Sequence, residues 1–269
     1  MDPREAGFTF VELLVVVVLG LVIIGAVYRT ITVQERSYRQ QGAMITAQQA
    51  MRGALATLEA ELREVSATGG DLISIQPREV TFRAYRKVGF VCDASMGGGQ
   101  LDIAELGEPF ESQDNLLVFV DNDPLVAADD FWTTATVLST GAASCAVSFG
   151  GHPTRRVTTT GGSFAGVLPG APVRSFVPMT YGLYEIDGEW VFGRVAPDDV
   201  EPVALIGPLA PPDERGLEFR YFDVNGNQTL DPAAVVRIEI HVRGKAVGGS
   251  YTSPEYVDSL TTQLFLRNR

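Results

Sequence analysis

Cysteine, histidine and catalytic signatures are scarce in this chain of 269 residues. It has two cysteines and two histidines, and it lacks the H-E-x-x-H, G-x-S-x-G and Walker motifs and any Cys-x-x-Cys pair. Neither His152 nor His241 stands at ligand spacing from a cysteine, so a zinc or thiolate metal site is not expected. We predict no catalytic site and expect that the protein is not an enzyme.

Positive charge is also sparse. Lys and Arg number 21 against 33 Asp and Glu, which gives a formal net charge of −12 at pH 7. Such a surface repels phosphate groups, so direct binding of nucleic acid is not expected. The first seven residues are not basic and no A-x-A site follows the apolar run, which disfavours a cleavable secretory signal.

Charge is almost absent from one long stretch. Between Phe8 and Tyr28 the only charged residue is Glu12. About 20 apolar residues cross a bilayer as a helix, so residues 8–28 are predicted to be a transmembrane helix. A carboxylate inside such a helix costs about 2.5–3.5 kcal/mol at the bilayer centre and less near the interface, and it usually has a function. A signal-anchor helix with an incidental acid is the simplest alternative.

Proline is missing from residues 30–66, and the only glycines there are Gly42 and Gly53. Apolar residues recur at spacings of three, four and seven: Met44, Met51, Leu55, Leu58, Leu62 and Val65. The spacing predicts an amphipathic helix over residues 29–67 that continues the membrane helix and ends near Gly69. We expect its apolar face to pack on the protein's own globular domain, with a free coiled coil as the alternative.

Short β-type segments separated by turns characterise residues 71–269. Strands are predicted at 72–76, 80–86, 116–121, 132–138, 175–186, 189–194, 217–223, 234–243 and 256–267. Asp187-Gly188 predicts a tight hairpin. The Gly-rich stretches 93–115 and 139–172 are predicted to be irregular insertions. The expected fold class is α+β, with a long N-terminal helix packed on a C-terminal antiparallel β-sheet domain.

The two cysteines, Cys92 and Cys145, both follow the apolar helix. If this part of the chain is exported, it lies in an oxidising compartment, where a single disulfide is the simple expectation. Such a crosslink would contribute roughly 4 kcal/mol on the chain-entropy model. Two free buried thiols are the alternative.

One stretch places oxygen-bearing side chains at alternating positions, as a calcium loop does: Asp223, Asn225, Asn227 and Asp231. An EF-hand loop requires glycine at its sixth position and glutamate at its twelfth, where this chain has Gln228 and Ala234. An Asn225-Gly226 turn between two strands explains the same residues. A second acidic cluster between residues 121 and 130 is expected to be a solvated loop. No cofactor other than this calcium candidate is expected.

The order Gly7-Phe8-Thr9-Phe10-Val11-Glu12-Leu13-Leu14, followed by a continuous apolar helix, resembles the processing and assembly signal of the type IV pilin family. Leaders in that family end in glycine, and a prepilin peptidase cuts after the glycine and methylates the new N-terminal amine. The resemblance implies a leader of residues 1–7, cleavage between Gly7 and Phe8, and N-methylation of Phe8. The proline at which the family's helix often kinks is replaced here by Arg29.

The same resemblance implies a place in an assembly. Glu12, the fifth residue of the mature chain, would meet the N-terminal amine of an adjacent subunit. Implied partners are the prepilin peptidase, other major and minor pilins through the N-terminal helix, and an inner-membrane assembly platform. The implied location is the inner membrane, crossed once, with the C-terminal domain in the periplasm, followed by incorporation into a pilus or pseudopilus.

Weaker similarities lie near the C-terminus. The strand pair that begins at Leu217 and Val235, and the ending Phe265-Leu266-Arg267, resemble PilW-type minor pilins and the related J-type pseudopilins. This similarity implies a minor pilin that primes or caps a filament, with a type II secretion pseudopilin as the alternative. A different class, a membrane-anchored exported binding or adhesion module with its ligand site in residues 93–172, also remains open.

Overall fold

A computed structural model describes residues 9–94, 97, 99–126, 129–145, 150–246 and 256–267. One helix, α1 (Phe10–Leu62), precedes all the strands of the described part. These are β1 (Leu72–Ile75), β2 (Glu79–Asp93), β3 (Gln100–Glu105), β4 (Asn115–Val120), β5 (Phe131–Ala142), β6 (Thr154–Thr160), β7 (Pro172–Ile186), β8 (Glu189–Val195), β9 (Val203–Ile206), β10 (Leu217–Phe222), β11 (Arg237–Ala246) and β12 (Tyr256–Phe265). All strand pairs are antiparallel, so the predicted α+β class is confirmed.

The two halves of α1 have different surroundings. Residues of the first half are exposed, whereas the apolar stripe of the second half is buried: Ala47, Ala50, Met51, Ala54, Leu55, Leu58 and Leu62. Met44, which the sequence pattern assigned to this stripe, remains 40% exposed. The contact of α1 with the domain begins one turn later, at Ala47, which lies against Gly244 of β11. The two backbones are so close that a Cβ atom on residue 244 would stand 2.8 Å from the carbonyl oxygen of Ala47.

The end of α1 differs from the prediction. The helix ends at Leu62 rather than near residue 67, and the left-handed glycine is Gly70, with φ of 73°, rather than Gly69. The physical reason is a competing acceptor. The N–H of Ser66 donates to a side-chain oxygen of Asp71 at 2.8 Å, where a continuing helix would direct it to Leu62.

A three-stranded sheet, in the order β10-β11-β12, packs against the second half of α1. Burial alternates strictly along β11: Ile238, Ile240 and Val242 are buried and the residues between them are partly exposed. This period of two is the reason why the sequence pattern located the strand. The core between helix and sheets also receives Phe82, Tyr181 and Phe192, whose rings stack with centroids 5.5 and 5.8 Å apart.

The larger sheet has nine strands and closes on itself in part. Its order is β1-β2-β3-β6-β5-β4-β7-β8-β9, and β2 also pairs with β7. Six strands therefore form a closed antiparallel barrel, β2-β3-β6-β5-β4-β7, which we call the barrel. Its interior is a separate apolar core that includes Ile103, Phe110, Leu116, Val118, Val157 and Val173. Outside the barrel, β1, β8 and β9 extend the same two long strands into an open sheet.

The long strands β2 and β7 pass from the open sheet into the barrel at a β-bulge. Tyr85 pairs with Phe176 and Lys87 pairs with Ser175, which leaves Arg86 as the extra residue. A bulge bends a strand and increases its twist, which barrel closure requires. Gly89 follows on β2, where a Cβ atom would stand 2.7 Å from the carbonyl oxygen of Ala104. The backbones of β2 and β3 can approach this closely only at glycine.

The expectation of irregular insertions at residues 93–115 and 139–172 was wrong in part. These stretches contain β3 and β6 and the ends of β2, β4, β5 and β7, all of which belong to the barrel, although about two thirds of their residues lie outside the strands. β6 lacks an apolar alternation, and the alternation of β3 covers only four residues, 100–103. Polar residues of the two strands pair with each other. Asp102, which is 2% exposed, accepts hydrogen bonds from Arg156 at 2.7 and 2.8 Å.

The predicted hairpin between β7 and β8 is confirmed. Ile186 pairs with Glu189, so the loop consists of the two residues Asp187 and Gly188. Both have positive φ, 53° and 79°, as the tight turn with the right twist for a hairpin requires. β9, at residues 203–206, was not predicted; only one of its four side chains is partly buried, so its pattern is weak.

Candidate functional site

The start of α1 carries the candidate assembly residue. Thr9 is the N-cap, and its hydroxyl oxygen accepts a hydrogen bond from the N–H of Glu12 at 3.3 Å. In return, Oε2 of Glu12 accepts from the N–H of Thr9 at 3.2 Å and from its hydroxyl at 3.3 Å. This reciprocal arrangement is a capping box, in which two otherwise unpaired helix donors are satisfied.

The capping box adds a role for Glu12 that the sequence analysis missed. The pattern Thr-x-x-Glu at residues 9–12 is its sequence signature and precedes an apolar run, so the signal was available. A negative side chain in the first turn also faces the positive end of the helix dipole. Gly7 and Phe8, the predicted cleavage and methylation residues, lie outside the described residues.

The first half of α1 exposes its apolar side chains on every side. Its most apolar window of 18 residues has nothing buried against the rest of the chain, and it is long and apolar enough to cross a membrane. Large residues such as Leu14, Val18 and Leu21 are 50–64% exposed. Apolar surface of this extent is unfavourable in water, so this segment requires lipid or neighbouring helices.

The two cysteines meet at one end of the barrel. Cys92 lies in a bulge between Val91 and Asp93 of β2, and Cys145 follows the end of β5. The structure joins them as a disulfide, with their Cα atoms 5.6 Å apart. The crosslink connects two barrel strands that are not neighbours in the sheet.

Replacing Cys145 by serine is expected to lower the free energy of unfolding by about 2–4 kcal/mol, because the disulfide restricts the unfolded chain. Denaturant unfolding of the full-length protein in detergent micelles, with and without reductant, measures this difference. The double variant Cys92→Ser/Cys145→Ser is the control and should match the single variant. If reductant does not shift the midpoint of the wild-type protein, the cysteines act as two free thiols.

Two of the four predicted calcium candidates, Asp223 and Asp231, accept hydrogen bonds from nearby backbone N–H groups. Oδ1 of Asp223 accepts from the N–H of Asn225 at 2.9 Å and from the N–H of Asn227 at 2.8 Å. Oδ1 of Asp231 accepts from the N–H of Ala233 at 3.0 Å. These bonds shape the connection between β10 and β11, with Gly226 at φ of 79° in the turn. Over the described residues no group of three or more His, Cys, Asp or Glu side chains could hold a metal ion.

The second acidic cluster, between β4 and β5, is a solvent-facing loop with one unusual property. Oδ1 of Asp121 and Oδ1 of Asp129 are buried and have no hydrogen-bond partner among the described residues. Burial, and the neighbouring carboxylates of Asp130, Asp129 and Asp123, raise the pKa of the Asp121 carboxyl. Among the described residues of this loop, no group of three or more carboxylates could hold a metal ion.

A depression of about 850 Å³ lies where α1 meets the β7–β8 hairpin. Gly42 and Thr46 of the helix face Trp190 and Pro208 across it, and Arg39 and Lys245 add positive charge. Its described lining has no serine, cysteine or histidine.

Comparison with known proteins gives one match. The family described as "Prokaryotic N-terminal methylation motif" matches residues 2–28. The match covers the predicted cleavage site, the capping box and the exposed apolar half of α1. Neither the curated proteins nor the solved structures contain a match to this chain. The chain thus carries a prepilin-type methylation motif, which is typical of filament subunits that a prepilin peptidase processes.

Proposed function

We propose that this protein is a minor pilin, which joins a type IV pilus as a priming or capping subunit after removal of residues 1–7. The observation that carries the proposal is the methylation motif at residues 2–28, which includes the apolar half of α1 that the rest of the described chain leaves uncovered. The mechanism is not enzymatic. The protein would wait in the inner membrane with its globular domain in the periplasm, and then exchange lipid for the helices of other pilins.

The globular domain supports a minor rather than a major role. Most subunits of a filament must repeat the same contacts, whereas a subunit at the tip can carry an additional module. The barrel is such a module, since four of its six strands, β3 to β6, lie between β2 and β7 in the chain and enclose a core separate from that under α1. The proposed assignment to PilW-type minor pilins rests on the C-terminal strand similarity.

Mass spectrometry of the mature N-terminus tests this function. In a host with a prepilin peptidase, we expect the wild-type chain to begin at Phe8 and to carry one added methyl group. The variant Gly7→Ala should accumulate as an uncut form that migrates more slowly on a gel. A wild-type chain that retains Met1, or normal processing of Gly7→Ala, would contradict the pilin assignment and favour a plain membrane anchor.

Two other functions have specific support. A type II secretion pseudopilin would use the same motif and helix, and purification with its partner subunits distinguishes the two machines. An anchored binding module is favoured by the barrel with its separate core. In that case the protein would remain in the membrane fraction and would be absent from sheared filaments.

A further inference from the structure

Arg174, on the outer face of β7, lies over two aromatic rings. Its guanidinium carbon lies 5.0 Å from the ring centroid of Tyr85 and 5.5 Å from that of Trp132. Among the described residues, the guanidinium forms no hydrogen bond or ion pair with another side chain. Stacking occupies the faces of a guanidinium and leaves the N–H donors of its edge available.

Both rings are fixed by other contacts. The hydroxyl of Tyr85 donates to Oδ1 of Asp71 at 2.7 Å, and the buried Asp71 carboxylate also accepts from the N–H of Ser66 at 2.8 Å. Burial and the Asp71 carboxylate raise the pKa of Tyr85, so its hydroxyl remains a donor at physiological pH. Trp132 packs edge-on against Phe119, with centroids 5.3 Å apart. A site whose rings are already ordered loses little side-chain entropy when a ligand binds.

Two depressions of about 260 and 230 Å³ meet at Arg174. They share Glu64, Tyr85 and Arg174, so they are two arms of one groove, which we call the Arg174 groove. One arm runs along Arg86, Lys87, Val88, Leu106 and Glu108, and the other along Ser66, Gly69, Asp71, Leu117, Trp132 and Arg267. The groove lies between the end of α1 and the outer wall of the barrel.

The charge of the groove differs from that of the whole chain. Its lining contains four cations, Arg86, Lys87, Arg174 and Arg267, and three carboxylates, Glu64, Asp71 and Glu108. The chain as a whole has a net charge of −12. Two of the carboxylates, Glu64 and Glu108, and two of the cations, Arg86 and Arg267, are exposed, so solvent and salt screen them. Arg86 also pairs with Glu61 at 3.2 Å, and Lys87 pairs with Asp114 at 2.8 Å. Within the described part of the chain, Arg174 is thus a half-buried cation without an ion-pair partner, in a protein that is acidic as a whole.

We propose that the Arg174 groove binds an acidic peptide segment, one of whose side-chain carboxylates pairs with the edge of the Arg174 guanidinium. The planar fork of arginine matches a carboxylate through two parallel hydrogen bonds. An extended segment suits the shape, because the groove consists of two arms that meet at Arg174 rather than of one compact cavity. The apolar wall of Leu117 and Trp132 accommodates the remainder of the segment. This inference does not depend on the proposed role in a filament.

Fluorescence of Trp132 provides the test. Trp132 and Trp190 are the only tryptophans, so Trp132 is the sole reporter in the full-length variant Trp190→Phe in detergent micelles. We expect a saturable change in its emission on titration with acetyl-Gly-Glu-Gly-amide. The glutamine analogue should bind at least about tenfold more weakly, because it lacks the charge of the carboxylate.

Variants in the same background identify the arginine. Arg174→Lys keeps the charge but loses the planar guanidinium, so we expect the affinity for the glutamate peptide to fall about tenfold. Arg174→Gln loses both the charge and the guanidinium, so the affinity should fall further. Arg237→Lys is the matched control, because Arg237 also stacks on a ring, Phe222 at 3.9 Å, but lies on the other sheet. Circular dichroism verifies the fold of each variant.

Three results would overturn the proposal. If the glutamate and glutamine peptides bind equally well, or if neither binds, the groove does not recognise a carboxylate. If Arg174→Lys and Arg237→Lys have the same effect on binding, the peptide does not bind at Arg174. Tighter binding of glucuronate or inorganic phosphate than of the glutamate peptide would assign the groove to an acidic sugar or to phosphate instead.

Discussion

Replacing Glu12 by alanine is expected to reduce incorporation into filaments by about 100-fold or more, while insertion into the membrane remains unchanged. In the proposed assembly the Glu12 carboxylate pairs with the N-terminal amine of an adjacent subunit in an apolar environment. Removing one partner of a buried ion pair costs about 3–5 kcal/mol, and each 1.4 kcal/mol is a factor of ten in an equilibrium constant. The amount of the protein in sheared filaments, relative to the membrane fraction, measures the effect.

The capping box allows a sharper version of this experiment. Glu12→Gln removes the charge, yet glutamine can still accept from the N–H of Thr9 as a capping-box residue. Thr9→Ala removes the cap, at a cost of about 1 kcal/mol, and keeps the charge. If Glu12 acts as an ion-pair partner, Glu12→Gln should be nearly as defective as Glu12→Ala, and Thr9→Ala should assemble.

The opposite pattern would contradict the ion-pair role. Assembly by Glu12→Gln, together with loss of assembly by Thr9→Ala, would show that Glu12 matters as a helix cap. If Glu12→Ala is incorporated into filaments as well as the wild-type protein, Glu12 has no role in assembly. Membrane insertion is the common control, because none of these changes reduces the apolar length of α1.

Truncation of Phe82 is expected to lower the free energy of unfolding by about 3–5 kcal/mol, and truncation of Phe110 by a similar amount. Phe82 is 0% exposed in the core between α1 and the sheets, and Phe110 is 0% exposed in the core of the barrel. Alanine at either position leaves a cavity that the surrounding side chains fill only in part.

The two variants also report on cooperativity. β2 and β7 contribute to both cores, so the barrel and the open sheet should unfold in one transition, and both variants should shift that transition. Denaturant unfolding of the full-length protein, followed by fluorescence and by circular dichroism, measures it. Phe131→Ala is the control, because Phe131 is 44% exposed and should change stability by less than about 1 kcal/mol. A separate early transition in Phe110→Ala alone would show that the barrel unfolds independently.

The connection between the end of α1 and the first strand is held by contacts that sequence patterns do not reveal. Asp71 is a charged residue at the start of the β domain, and its sequence context is that of a turn. In the structure it is 3% exposed and accepts from Ser66 and Tyr85, which ends α1 and fixes one wall of the Arg174 groove. Its partners are separated from it in sequence by five and 14 residues, so no local signal identifies the contact.

The amino-acid sequence by itself determined the parts of this protein that depend on local patterns. The run from Phe8 to Tyr28 specifies an apolar helix, the alternation around β11 specifies a half-buried strand, and Asp187-Gly188 specifies a turn, because each pattern acts within a few residues. The prepilin-type motif at residues 2–28 is local in the same sense.

The barrel and the Arg174 groove depend on tertiary contacts and could not be predicted from local sequence patterns. Barrel closure joins β2 to β7, and the polar strands β3 and β6 are stable because Asp102 meets Arg156 across 54 residues of sequence. Arg174 likewise meets Tyr85 and Trp132 from two other strands. Such pairings arise from the register of distant strands, where the loss of chain entropy is offset by contacts that exist only when the whole domain has formed.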